Sequence, residues 1–96
     1  MFALIATLRV DPAKAEQFER TFGEFGKKFL DQEAGTLTYC LGKSRADEGS
    51  YRAIEVYESE AAFKAHVAGA AFQTFRPILV DLLLEPPSSE RLDVVA

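Results

Sequence analysis

His66 is the only histidine in the chain, and its position makes it the first candidate for chemistry. It follows Phe63 by three residues and Ala62 by four, which places it on the apolar face of a predicted helix. A histidine there is either a hydrogen-bonded structural residue or a general base. The second interpretation rests on the imidazole, whose ordinary pKa of about 6.5 suits removal of a proton from a phenol or enol.

Three other polar side chains lie beside apolar positions. Glu55 lies in the middle of a predicted strand, where a carboxylate either pairs with a cation across the sheet or orients a histidine or a substrate hydroxyl. Tyr57, two residues on, is either a core aromatic or part of a pocket. Arg76 is either a solvated charge or a group that stabilises an anion.

Motifs for common cofactors and metals are missing. The sequence has no glycine-rich phosphate loop, no HExxH, no CxxC and no serine nucleophile elbow. We therefore predict no cofactor and no metal. The single Cys40 cannot form an internal disulfide, which favours a reducing, cytoplasmic setting.

Length and composition limit the class of protein. The 96 residues predict one domain, residues 1–96, and the hydrophobic fraction of 48% excludes disorder. A net charge of −4 argues against nucleic acid as a partner. The apolar stretches are too short to span a membrane, and residues 1–6 lack the basic start of a signal peptide.

Hydrophobic periodicity predicts four strands and three helices. Residues 2–10 form a strand that is apolar on both faces, and Asp11 and Pro12 begin a helix with a phenylalanine stripe. The stripe consists of Phe18, Phe22, Phe25 and Phe29. Two strands follow at residues 36–41 and 51–57, and the first should place Leu37, Tyr39 and Leu41 on one face.

The second half of the chain continues this pattern. Helices are predicted at residues 60–68 and about 70–84, with Pro77 expected to kink or restart the second. A stiff linker over 85–89 leads to a last strand at 91–95. The order β-α-β-β-α-α-β predicts a ferredoxin-like α+β fold, a four-stranded antiparallel sheet with helices on one side. Because the other face would be bare, we expect a homodimer packed sheet to sheet.

Two segments resemble the antibiotic biosynthesis monooxygenase (ABM) family. Residues 33–39 are similar to its "E-x-G-x-x-x-Y" entry to the second strand, and residues 51–66 resemble its core motif, a strand ending E-x-(W/Y) before a helix ending A-H. The resemblance covers nearly the whole chain. It implies a dimeric α+β barrel with a pocket between the sheet and the helices that carry His66 and Phe72.

The branches of this family catalyse different reactions. Positions where this chain departs from the pattern of a branch argue against the reaction of that branch. The polyketide-tailoring oxygenases have Asn, Trp and Tyr where this chain has Ala53, Tyr57 and Phe63. The haem-degrading branch needs an Asn on the first strand and a His near Arg76, and both are missing. His66 and Glu55 resemble more closely the quinol-monooxygenase branch and the branch that isomerises a phosphorylated signal sugar.

The resemblance implies a cofactor-independent monooxygenase that oxidises a small phenol or quinol with O₂. His66 would be the base, supported by Glu55, with Tyr57 and Arg76 as anion stabilisers. The expected pocket walls are Phe63, Phe72, Phe75 and Leu79. Two alternatives stay open: an isomerase or other proton-transfer enzyme that uses His66 with Glu55 on a small polar metabolite, and a non-catalytic dimeric module that binds a hydrophobic ligand.

Overall fold

The computed structural model describes residues 1–96 and contains four strands and three α-helices. In chain order they are β1 (Phe2–Arg9), α1 (Ala15–Gln32), β2 (Thr36–Lys43), β3 (Ser50–Tyr57), α2 (Glu60–Ala68), α3 (Ala70–Leu82) and β4 (Ser88–Asp93). The strands form one antiparallel sheet in the order β2-β3-β1-β4. The predicted ferredoxin-like α+β fold is confirmed.

The core lies between the helices and one face of the sheet. Alternate residues of β1 are buried there, and Phe18, Phe22 and Phe29 of α1 pack against them. Asp11 accepts a hydrogen bond from the Ala13 amide at 3.0 Å, but Pro12 opens a 3₁₀ turn rather than the helix itself. The phenylalanine stripe is thus the element that attaches α1 to the sheet.

The predicted alternation of β2 is wrong at Leu37. Thr36 pairs with Tyr57 and Thr38 pairs with Val56, so Leu37 is the extra residue of a β-bulge. Its side chain is 47% exposed instead of joining Tyr39 in the core. The bulge buries Thr36 at the entrance to the strand, next to the site described below.

The end of α3 and the last strand also differ from the prediction. The helix runs through Pro77 but ends at Leu82, because Leu83 bridges to Val10 and the Leu84 amide donates to the Arg9 carbonyl at 2.8 Å. The last strand begins at Ser88 rather than Arg91 and ends at Asp93. It starts earlier because β1 is a central strand, and its backbone groups on the side away from β3 need hydrogen-bond partners. The last strand supplies them from Ser88, opposite Thr7, to Asp93, opposite Phe2. None of the helices combines the length and the hydropathy that a bilayer crossing requires.

Candidate active site

The imidazole of His66 is held from one side by a carboxylate. Ser59 caps α2 by accepting from the Ala62 amide at 3.1 Å, and the helix carries His66 into the interior, where it is 2% exposed. Its Nδ1 lies 2.8 Å from Oε1 of Glu33, which follows the last residue of α1. The same oxygen accepts from the Thr36 hydroxyl at 2.7 Å, so Glu33 is itself fixed in place.

This contact assigns the two ring nitrogens different roles. A carboxylate only accepts hydrogen bonds, so Nδ1 of His66 is the protonated nitrogen and Nε2 carries the lone pair in the neutral ring. Nε2 is buried and has no hydrogen-bond partner. A buried polar atom without a partner is uncommon in proteins, and an ordered water or a ligand can supply the missing hydrogen bond.

Aromatic rings surround the imidazole. The ring of Phe29 meets it edge-on at 4.6 Å between centroids, and Phe72 lies at 4.8 Å. Tyr57 and Tyr39 lie at 5.4 and 5.5 Å. Burial raises the pKa of Tyr39, so its phenol stays protonated and is available as a donor at neutral pH.

A second carboxyl group is buried on the sheet side of the site. Glu55 is 7% exposed and accepts a hydrogen bond from the Tyr57 hydroxyl at 2.5 Å. Burial raises the pKa of Glu55 from 4.5 to about 7, although the hydrogen bond from Tyr57 acts in the opposite direction. The pKa of Tyr57 is raised by burial and then by the neighbouring Glu55. Glu55 can therefore exchange a proton near neutral pH.

His66 and Glu55 line one cavity of about 180 Å³ between the sheet and the helices. Leu4, Ala6 and Leu8 of β1 form its floor, and Tyr39, Glu55, His66 and Ser89 are its polar members. A cavity of about 150 Å³ accommodates benzene, so this one has room for a single substituted aromatic ring.

Most of the predicted pocket residues meet here. Phe63, Phe72 and Leu79 line the cavity together with His66 and Glu55. Tyr57 lies behind the lining, its ring 5.3 Å from that of Phe63 and its hydroxyl donated to Glu55.

Two predicted pocket residues lie elsewhere. Phe75 is fully buried against α1, with its ring 4.9 Å from that of Phe25, and is not part of the lining. Arg76 is exposed and also lies outside the cavity. The reason is helical geometry: α3 presents Phe72 and Leu79 to the cavity, Phe75 to α1 and Arg76 to solvent.

Three polar residues of the site, Glu33, Tyr39 and Ser89, were not among the predicted site residues. Glu33, not Glu55, makes the hydrogen bond to His66, although Glu33 opens the motif that also contains Tyr39. The motif over residues 33–39 was the signal that could have identified both Glu33 and Tyr39. Ser89 gave no signal, because it fell in a segment interpreted as a linker. The structure places no three histidine, cysteine or acidic side chains where they could hold a metal ion.

Comparison with known proteins finds one family. The family model described as antibiotic biosynthesis monooxygenase matches residues 1–77. Among curated proteins, none matches the chain significantly.

Solved structures agree over the whole chain. A presumed antibiotic biosynthesis monooxygenase from Caulobacter crescentus superposes with a TM-score of 0.94 at 35% identity, covering 99% of this chain and 90% of that one. A protein from Pseudomonas aeruginosa gives a TM-score of 0.82 at 29% identity, with 99% and 94% covered. A presumed family member from Nitrosomonas europaea shares the fold, with a TM-score of 0.91 at 21% identity and both chains fully covered.

Proposed function

The chain belongs to the antibiotic biosynthesis monooxygenase family, and from that premise we propose that it oxidises a small phenol or quinol with O₂ without a cofactor. The observation that carries the proposal is the buried, unpartnered Nε2 of His66, a residue that lines a cavity with aromatic walls. A phenol hydroxyl is the group that this nitrogen and these walls together fit best.

The chemical step begins with proton transfer. Nε2 of His66 takes the phenol proton, and the Glu33 carboxylate at Nδ1 stabilises the imidazolium that forms. Tyr39, whose hydroxyl stays protonated, is better placed than Tyr57 or Arg76 to donate to the phenolate.

The deprotonated substrate then reacts with O₂. An electron-rich phenolate can pass an electron to O₂ directly, so the protein has to supply only a base, a dry cavity and a donor. In the overall reaction a ring C–H becomes C=O: phenol plus O₂ gives a quinone plus water. The substrate supplies all four electrons, one oxygen atom enters the ring and the other leaves as water.

The working form would be a homodimer through the helix-free face of the sheet. Ile5 and Ile54 face each other across β1 and β3 on that face, and Val56 and Leu92 flank Ala3. Ile54 is 37% and Leu92 38% exposed in the single chain, which supports a second copy as cover. The free thiol of Cys40 fits a reducing, cytoplasmic setting.

Oxygen uptake by the His66→Ala variant tests the proposal. With a panel of single-ring phenols and quinols, we expect turnover by the wild type and a loss of about 10²–10⁴-fold in the variant, because general-base catalysis contributes that much. Phe18→Ala is the control for folding: Phe18 is fully buried outside the cavity, so its truncation should cost about 3–5 kcal/mol of stability. Unchanged oxygen uptake by folded His66→Ala would contradict the proposal.

An isomerase is the second candidate, and one observation favours it. Glu55, with its pKa raised to about 7, lines the same cavity as His66, so two groups could remove and return a proton. An isomerase would exchange substrate C–H for deuterium from the solvent without consuming oxygen. A non-catalytic binding module would do neither.

A further inference from the structure

A shallow groove lies next to the cavity, on the side of α2 and β4. It is lined by Phe63, Lys64, Val67, Ala68, Gln73 and Arg91, and we call it the Arg91 groove. Phe63 and Val67 line both the groove and the cavity. The groove and the cavity are therefore neighbours that share these two side chains as walls.

The groove is positively charged in an acidic protein. Two of its six lining residues are cations and none is an acid, although the chain carries a net charge of −4. Arg91 lies opposite Leu4, a residue of the cavity floor, and its guanidinium carbon is 5.3 Å from the centre of the Phe63 ring.

The two cations, Arg91 and Lys64, differ in whether a carboxylate lies within ion-pair distance. None of the ion pairs of the protein includes Arg91, whereas Nζ of Lys64 lies 4.0 Å from a carboxylate oxygen of Glu60. The amide nitrogen of Gln73 already donates to the Val67 carbonyl at 2.6 Å. Arg91 is thus the main group available to a ligand, and a guanidinium matches an oxyanion with two parallel hydrogen bonds.

We propose that the substrate is an aromatic acid whose ring occupies the cavity beside His66 while its oxyanion, a carboxylate or a phosphate, binds Arg91 and Lys64 in the groove. This inference rests on the proposed function, because it places the same phenol ring at His66. It adds a class of substrate: a phenol with a short acidic side chain.

Binding of matched probes tests the inference without requiring turnover. The probes are 4-hydroxyphenylacetate, its uncharged methyl ester and 4-hydroxybenzylphosphonate, which separate charge from ring and carboxylate from phosphate. Because His66 is the only histidine, its ring signals in an NMR spectrum report occupation of the cavity without assignment work.

We expect at least one of the two acids to bind about three- to tenfold more tightly than the ester at low salt. That advantage should shrink as NaCl is added, because exposed charges are screened. Arg91→Gln should remove most of the advantage and leave binding of the ester unchanged. Arg20→Gln, which removes a charge from the exposed side of α1, should preserve the tighter binding of the acids.

The inference would be overturned if both acids and the ester bound equally tightly. It would also be overturned if Arg20→Gln and Arg91→Gln reduced the preference for the acids by the same factor. Either result would leave the proposed function standing. If neither the acids nor the ester disturbs the His66 signals, both proposals fail together.

Discussion

Two carboxylates serve the site in different environments. Glu33 accepts from both His66 and Thr36 at the rim of the core, where its side chain is 22% exposed. Glu55 is deeper, and a single hydroxyl, that of Tyr57, is its hydrogen-bond donor. The first arrangement orients the imidazole of His66, and the second favours the protonated form of a carboxyl group at pH values where exposed glutamates have lost their proton.

Glu55→Gln should change how stability depends on pH. In the folded state the pKa of Glu55 is raised from 4.5 to about 7, so between these values the folded protein holds a proton that the unfolded chain has released. Wild-type stability therefore falls as the pH rises from about 5 to about 7, by at most about 3 kcal/mol at 1.36 kcal/mol for each pH unit. Glutamine has no proton to lose, so urea unfolding of the variant should show a smaller fall.

Glu24→Gln is the matched control for this change. Glu24 is exposed on α1, so its neutralisation should leave the pH dependence of the wild type intact. An identical decline in stability for wild type and Glu55→Gln would show that the buried carboxyl does not titrate in this range.

At the scale of elements, the site depends on a close approach of α2 to the start of β2. A Cβ atom at Gly35 would lie 2.6 Å from the Cβ of Ala62. The lack of a side chain at Gly35 lets α2 pack near enough for His66 to reach Glu33, and the bulge at Leu37 then turns Thr36 toward the same carboxylate.

Gly35→Ala should therefore separate the helix from the strand. We expect a loss of about 1–3 kcal/mol in unfolding free energy, typical of overpacking, together with shifted His66 ring signals in the NMR spectrum. Gly23→Ala is the control: a Cβ there meets nothing within 4 Å on the exposed side of α1. It should raise stability by about 0.5–1 kcal/mol through helix propensity. If the two variants behave alike, the close approach has no structural importance.

At the scale of the molecule, the sheet has one face covered by helices and one face open. Ile54 on the open face and Ile78 on α3 are 37% and 40% exposed, so they offer nearly equal apolar surfaces in different places. Ile54 lies opposite Ile5 and Cys40 on the two neighbouring strands, so its apolar surface continues across the open face of the sheet.

Ile54→Glu should weaken the proposed dimer. Burying a carboxylate without a partner between two sheets is unfavourable enough to raise the dissociation constant on the order of 100-fold. Sedimentation at micromolar concentration should show a wild-type species of twice the 10.6 kDa chain mass and a variant that dissociates. Ile78→Glu should sediment as the wild type does. A wild type that sediments as a monomer would rule out the dimer.

Much of the fold could be predicted because its elements are amphipathic at short range. The alternation of β3 and the phenylalanine stripe of α1 are visible in the sequence, and the structure buries the alternate residues Tyr51, Ala53 and Tyr57 of β3. Leu37 was misplaced because a bulge depends on the pairing of two strands and not on the residue itself.

The sequence alone determined which side chains could do chemistry: one histidine on an apolar helix face, a glutamate in a buried strand and the motif residues around them. Only the tertiary structure decided which carboxylate serves His66. Glu33 lies 33 residues from His66 along the chain, and the 2.8 Å contact between them exists only because α2 packs against the start of β2. Spacing within an element follows from local backbone geometry, whereas contacts between elements depend on packing of the whole core.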